Sequence, residues 1–298
     1  MDTLSSNMLH YLCDYLPNAQ DILSLTLVNK ELARKTRPYI YKNIYHKIAL
    51  NEFENIIVKP LHHSHDITKI KKIKVNTSTL YFNYDFSHTT YLAFDDEFNQ
   101  PIDNVNLSNL THLTFGKKFD QKLDGMNLNN VTHLTFGDYF DNPLNGVQLN
   151  SLTHLIFGEH YDCFIDHLNL NNLLYLEIGH TFYRFNNNIM LNNLTHFVFR
   201  SYGTSNINKF VCPQLKHLEI LTCACHMTND SIDHLNYPNL TYFKFCGNLR
   251  SPINNLLQKS PKLEEIILPY DYKQSIFYDC LPKNTKVYIG DKVYINKN

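Results

Sequence analysis

Five histidines, His112, His133, His154, His196 and His217, recur at twenty-one residues or a multiple of it. Imidazoles side by side at the ~4.8 Å spacing of neighbouring strands have one obvious chemistry: they can share a transition metal, which takes neutral ring nitrogen at about 2.0 Å together with further ligands. No Asp or Cys column stands beside them. The favoured reading is therefore a repeat-encoded surface ladder open to partner contact, with metal ligation as the alternative. Mutual repulsion resists protonation of such a column, so binding through it is expected to weaken below about pH 6.

Other candidates are weaker. Cys212, Cys223, Cys225, His226 and Cys246 offer zinc donors but lack two Cys pairs at conventional spacing, and Cys212 stands where a core leucine is due, so a buried thiol is the simpler account. His62-His63-Ser64-His65-Asp66 reads as solvated imidazoles in a linker. Cys163, next to Asp162 and near His160, has no fixed base to make it a nucleophile. Lys69, Lys71, Lys72 and Lys74 alternate with Ile70, Ile73 and Val75, the pattern of a strand with one solvated face. There is no glycine-rich phosphate loop, nucleophile elbow or suitably spaced carboxylate pair. No catalytic residue, metal or cofactor is expected, and the chain is read as a non-enzyme.

Composition narrows the classes further. In 298 residues, 27 Lys and Arg stand against 28 Asp and Glu, so the net charge of −1 gives no general attraction to nucleic acid or anionic lipid. No apolar run approaches a membrane span, and the N-terminus lacks a secretion signal. Seven cysteines at irregular spacing fit reduced thiols. An intracellular, cytoplasmic monomer is the expectation, with neither nucleic acid nor membrane as partner.

The elements that must position the histidines are the repeats themselves. Leu110-Thr111-His112-Leu113-Thr114-Phe115-Gly116 returns as Val131 to Gly137, as Leu152 to Gly158 and, with substitutions, as Leu173 to Gly179 and Leu194 to Phe199. Counting Leu110 as position 1, apolar residues fall at positions 4, 6, 10, 14 and 19, for instance Leu113, Phe115, Phe119, Leu123 and Leu128. Period-two alternation around positions 3 to 7 predicts one short strand per unit, even positions inward and odd positions outward. A unit this short closes no core alone; stacked in register, equivalent positions bury a continuous column and the strands form a parallel sheet.

Gly116, Gly137, Gly158 and Gly179 end the strand, where positive φ or a close backbone approach suits glycine. Asn109, Asn130, Asn172 and Asn193 precede position 1 and are read as partners for unpaired backbone groups. Strand patterns also occur at Ile70–Val75, Tyr91–Phe94, Leu215–Ile220, Leu240–Phe245, Leu263–Leu268 and Val287–Ile289. Ser231–Leu235 and Ser251–Leu257 read as short helices. Roughly ten turns at about 4.8 Å give a sheet of about 45 Å, room for a protein partner.

The strand core L-x-x-L-x-F resembles the leucine-rich repeat. Phe98-Asn99-Gln100-Pro101-Ile102, echoed by Phe119–Leu123 and Phe140–Leu144, resembles the FNIP repeat over about residues 89 to 200, with longer leucine-rich units over 201–298. That resemblance implies an origin in amoebae or the large DNA viruses that infect them, and host cytoplasm if viral.

Residues 1–46 lie outside the repeat. Leu4, Met8, Leu9, Leu12, Tyr15 and Leu16, then Ile22, Leu23, Leu25, Val28 and Leu32, recur at helical spacing. Their order is similar to an F-box, the helical segment that docks on the small adaptor of a Skp-cullin-F-box ubiquitin ligase. The resemblance implies adaptor contacts at Met8, Leu9, Leu12, Leu16, Ile22, Leu23 and Leu25. Ser5 stands where the family usually has proline, and Leu32 where it has an aromatic residue. The alternative is a helical cap for the array.

The chain thus reads as α+β: an F-box-like helical segment over 1–46, a linker or first cap over 47–68, and a solenoid over 69–298. The first functional reading is a non-catalytic substrate receptor whose target protein lies on His112, Thr114, His133, Thr135, His154, Ile156, Tyr175, Glu177, His196, Val198, His217 and Glu219. The second is an interaction scaffold without a ligase link.

Overall fold

The computed structural model describes residues 72–75, 86, 88–103, 105–184, 186–201, 207–222 and 231–297. The F-box-like segment, the 47–68 linker with its histidines, and Cys223, Cys225 and His226 lie outside the described residues.

Each regular turn contributes one strand to the main sheet, and a few turns carry a second strand. In order the strands are β1 (Lys72–Val75), β2 (Tyr91–Phe94), β3 (His112–Thr114), β4 (His133–Thr135), β5 (His154–Ile156), β6 (Tyr175–Ile178), β7 (Ile189–Met190), β8 (His196–Ser201), β9 (Phe210–Val211), β10 (His217–Thr222), β11 (Tyr242–Cys246), β12 (Glu265–Leu268), β13 (Lys286–Ile289) and β14 (Lys292–Ile295). All but β7 and β9 join one twelve-stranded sheet in sequence order, parallel except for the antiparallel pair β13–β14. β7 and β9 pair parallel as a second, two-stranded sheet.

The register is the one the repeat demands. Leu92, Leu113, Leu134, Leu155 and Leu176 lie opposite one another along the sheet, as do His112, His133 and His154. The chain is thus a parallel-sheet solenoid. Two units are longer than the rest: His217 pairs with Tyr242, 25 residues on, and Tyr242 with Glu265, 23 residues on, where regular units such as His112 to His133 step by 21.

Inside, position 6 builds one ring stack, Phe94, Phe115, Phe136 and Phe157, with centroids 5.4 to 5.5 Å apart. Position 10 builds another, Phe98, Phe119, Phe140, Tyr161 and Phe182, at 5.8 to 6.1 Å. The stacks touch within each turn at 3.9 to 4.3 Å. Each buried ring contributes about 2–3 kcal/mol by leaving water, and only stacking makes that burial available to so short a unit.

Of the two reasons offered for the strand-ending glycines, close approach is the one that holds. A Cβ built on Gly137 would fall on the carbonyl of Gly116, and one on Gly158 would fall on that of Gly137. Positive φ falls at other positions, Gly125 (φ 70°), Gly146 (φ 66°) and Gly290 (φ 56°) among them.

Polar ladders satisfy the corners. Asn130, Asn172 and Asn193 donate from Nδ2 to the carbonyls of Ser108, Asn150 and Asn171 at 2.7 to 2.8 Å, the expected role. A ladder of Asp carboxylates, begun by an Asn amide, escaped the sequence reading. At position 11, Asn99, Asp120, Asp141 and Asp162 each accept through Oδ1 the backbone N–H of the same position one unit on, at 2.8 to 3.0 Å.

Two helix expectations need correction. Ser231–Leu235 forms turns, because five residues cannot offset helix nucleation. The second helix forms late and short, as α1 (Asn254–Gln258), with no cap from Ser251. Its opening N–H groups, at Asn255 and Leu256, instead donate to the Asp233 carboxylate one unit back, at 2.7 and 3.3 Å. The strand read at Ile70–Val75 is described only over Lys72–Val75, and β14 was not foreseen.

Candidate functional site

Odd strand positions face away from the core and give two parallel columns. The position-3 column is Tyr91, His112, His133, His154, Tyr175, His196, His217 and Tyr242, in adjacent register across β2 to β11. Their rings stack face to face, closest at His112–His133 (4.2 Å), His133–His154 (4.1 Å) and His217–Tyr242 (4.1 Å).

Position 2 holds these imidazoles still. Thr132 Oγ1 donates to the Thr111 carbonyl at 3.0 Å and lies 2.9 Å from His133 Nδ1. Thr111, Thr153 and Thr195 repeat this at His112, His154 and His196. A hydroxyl has one hydrogen. With it on the carbonyl, Nδ1–H donates to Oγ1; with it on Nδ1, the ring proton sits on Nε2. Either way Nδ1 is satisfied within the array, and Nε2 is the edge left to a partner at His133, His154 and His196.

Three of these imidazoles, His133, His154 and His196, are held toward the neutral form. Burial first, then the neighbouring His112 and His154, lowers the His133 pKa to about 4. Burial also lowers those of His154 and His196, the latter with help from His217, His154 and Lys216. Mutual repulsion, which the sequence reading made the cause, is thus secondary to burial. Face-to-face stacking points neighbouring ring nitrogens in parallel, whereas a shared metal requires them to converge. Among the described residues no group of three or more His, Cys, Asp or Glu is gathered to hold a metal ion.

The position-5 column divides the face. Thr114, Thr135 and Ile156 stand beside the first three histidines. Beyond them the groups are charged. Glu177 accepts from Tyr175 Oη at 2.9 Å and Arg200 Nε at 2.6 Å, and Glu219 bridges His217 Nε2 at 2.9 Å and Lys244 Nζ at 3.0 Å. Burial alone would raise the Glu219 pKa; the hydrogen bonds from His217 and Lys244 more than offset it and leave the pKa lowered. Burial and Glu177 push the Tyr175 hydroxyl up to about 12.

One expected contact residue is misplaced. Val198 is 7% exposed, lying in register between Glu177 and Glu219 where Arg200 reaches across to Glu177. The other eleven named residues are at least partly open to solvent.

Two of the singled-out thiols are poorly suited to nucleophilic chemistry. Cys212 fills its leucine slot, and burial pushes its pKa up to about 12. Cys163 borders an open cavity of about 570 Å³ with Phe164, His167 and Arg184. Burial and the Asp141 carboxylate raise its pKa to about 11, the wrong direction for a nucleophile. No helix among the described residues is long and apolar enough to cross a membrane.

No protein-family model matches the sequence, and no curated protein matches it. Among solved structures it is similar to a giant-virus protein, CroV588, described as a novel circular LRR protein structure, with a TM-score of 0.59 and 27% identity. The chain folds as a leucine-rich-repeat-like solenoid. The match covers 70% of this chain and 32% of the solved one, so this chain corresponds to about a third of that length. Solenoids of this kind are usually non-catalytic, and the fold suggests a protein-binding scaffold.

Proposed function

We propose that this protein is a non-catalytic substrate-recognition subunit of a Skp-cullin-F-box-type ubiquitin ligase. Residues 1–46 dock on the adaptor, residues 47–68 link, and the open strand face of 69–298 holds a target protein in the cytoplasm. The binding half rests on one observation: a continuous column of stacked rings, held from behind by threonines, beside a second column of hydroxyl and charged groups. A preorganised face of this kind lowers the ordering cost of association.

The ligase half rests on the F-box-like order of Met8, Leu9, Leu12, Leu16, Ile22, Leu23 and Leu25. The FNIP-like segments and the giant-virus neighbour fit the same reading. Ser5 and Leu32 favour the second reading, a scaffold that binds partners through the same face and has no ligase link.

A pull-down separates them. The intact protein is expected to retain a Skp-type adaptor, and Leu9→Asp and Leu12→Asp to lose it. An intact protein that retains no adaptor sinks the ligase reading and leaves the scaffold.

A further inference from the structure

Of nine large apolar side chains exposed among the described residues, five (Tyr270, Phe277, Val293, Tyr294 and Ile295) belong to the last turn. Here β14 is the last strand of the sheet, bonded only to β13, and every one of its side chains is exposed. Natural edges are blunted by charge or proline; beyond Lys292, this one continues Val-Tyr-Ile.

The free edge has a definite pattern. The two-residue turn Gly290-Asp291 makes Ile289 and Lys292 the first hydrogen-bonded pair of the hairpin, Tyr288 and Val293 a non-bonded pair, and Val287 and Tyr294 the next bonded pair. Asn296, two residues on, keeps the phase by donating its N–H inward to the Thr285 carbonyl at 3.0 Å. The N–H and C=O groups of Val293 and Ile295 therefore point out of the sheet.

We propose that β14 joins two copies of this chain, pairing antiparallel with β14 of the second copy about a two-fold axis at Tyr294. Val293 then lies opposite Ile295 of the second copy, outward amides facing outward amides, and the reciprocal pair follows from symmetry. Asp291 falls opposite Lys297 of the second copy, once at each end, so the apolar pairs are flanked by opposite charges. A slip of one residue sets inward-pointing amides against outward ones. A slip of two sets Asp291 against Ile295, or Val293 against Lys297, and loses the charge match. The chain already displays this self-recognition: β13 and β14 are both Lys-Val-Tyr-Ile and pair antiparallel. The proposed assembly is an isologous dimer with one sheet running through both copies, in place of the monomer expected from composition.

Sedimentation velocity on the full chain, from low micromolar to millimolar concentration, tests this. The mass is expected to rise from 35.0 kDa toward double. Ile295→Pro removes an outward N–H but none from the hairpin, because Ile295 and Lys286 are a non-bonded pair; it should hold the protein monomeric with unchanged melting. Asp291→Lys and Lys297→Asp should each weaken the dimer several-fold, and the double variant should restore it. A monomer at every concentration overturns the proposal, as does a dimer indifferent to Ile295→Pro or to the charge reversals.

Discussion

At the scale of single residues, threonine at position 2 and histidine at position 3 decide what the face can do. Thr132 spends its hydroxyl on the preceding turn and on His133, so a side chain at the surface is tied to the stacking beneath it. Neutrality of His133, His154 and His196 carries a testable cost in acid. His133 titrates at about 4 in the folded chain against 6.5 for an ordinary imidazole. Between those values the unfolded chain binds more protons, so this contribution to stability is complete above about pH 6.5 and is gone near pH 4. His154 and His196 shift the same way, and the lowered Glu219 pKa adds a loss at lower pH. Melting temperature is expected to fall steadily from neutral pH to pH 4, and His133→Gln to flatten the slope; an unchanged melting temperature over that span would contradict the assignment. The column itself was legible in the sequence because its period is fixed. The threonine relay and the position-11 carboxylates were not, since each bond joins positions one unit apart in directions that only the turn geometry sets.

At the scale of elements, strands were easier to read than what joins them. A strand in a solenoid is specified by period-two alternation and repeated in copy after copy, so β2 to β6 fall where the pattern puts them. Short helices have no such redundancy. Ser231–Leu235 looked helical because Ser and the apolar spacing suit a first turn, yet Asp233 from that segment serves α1 in the next unit instead. Val198 shows the same limit: alternation says which way a residue points, while burial depends on the neighbours, here Glu177 and Arg200. The glycine corner gives a prediction at this scale. Gly137→Ala places a methyl group on the Gly116 carbonyl, which is backbone and cannot step aside, so a loss of about 1–3 kcal/mol or more is expected in urea unfolding. At Asn130 or Asn193, exposed corner positions that each donate one hydrogen bond to the unit before, replacement by Ala should cost only about 1 kcal/mol.

At the scale of the whole molecule, stability is a sum of like interfaces between neighbouring turns, which is why a chain with few long elements still forms one continuous core. The regular turns bond to a counterpart twenty-one or twenty-two residues back, whether through Thr132 to Thr111, Asn172 to Asn150 or Asp141 to Asp120. Every such bond refers to relative position, and none names a particular turn. Excising residues 131–151 would therefore hand Thr153 the Thr111 carbonyl, Phe157 the face of Phe115 and Asp162 the carboxylate of Asp120. That shortened protein is expected to melt cooperatively, whereas removal of residues 131–140, about half a turn, should abolish folding by circular dichroism. Heredity can exploit the same property: a gene of this design can gain or shed copies by unequal crossing-over and yield a foldable product each time, so that the length of the binding surface evolves separately from the residues that decorate it.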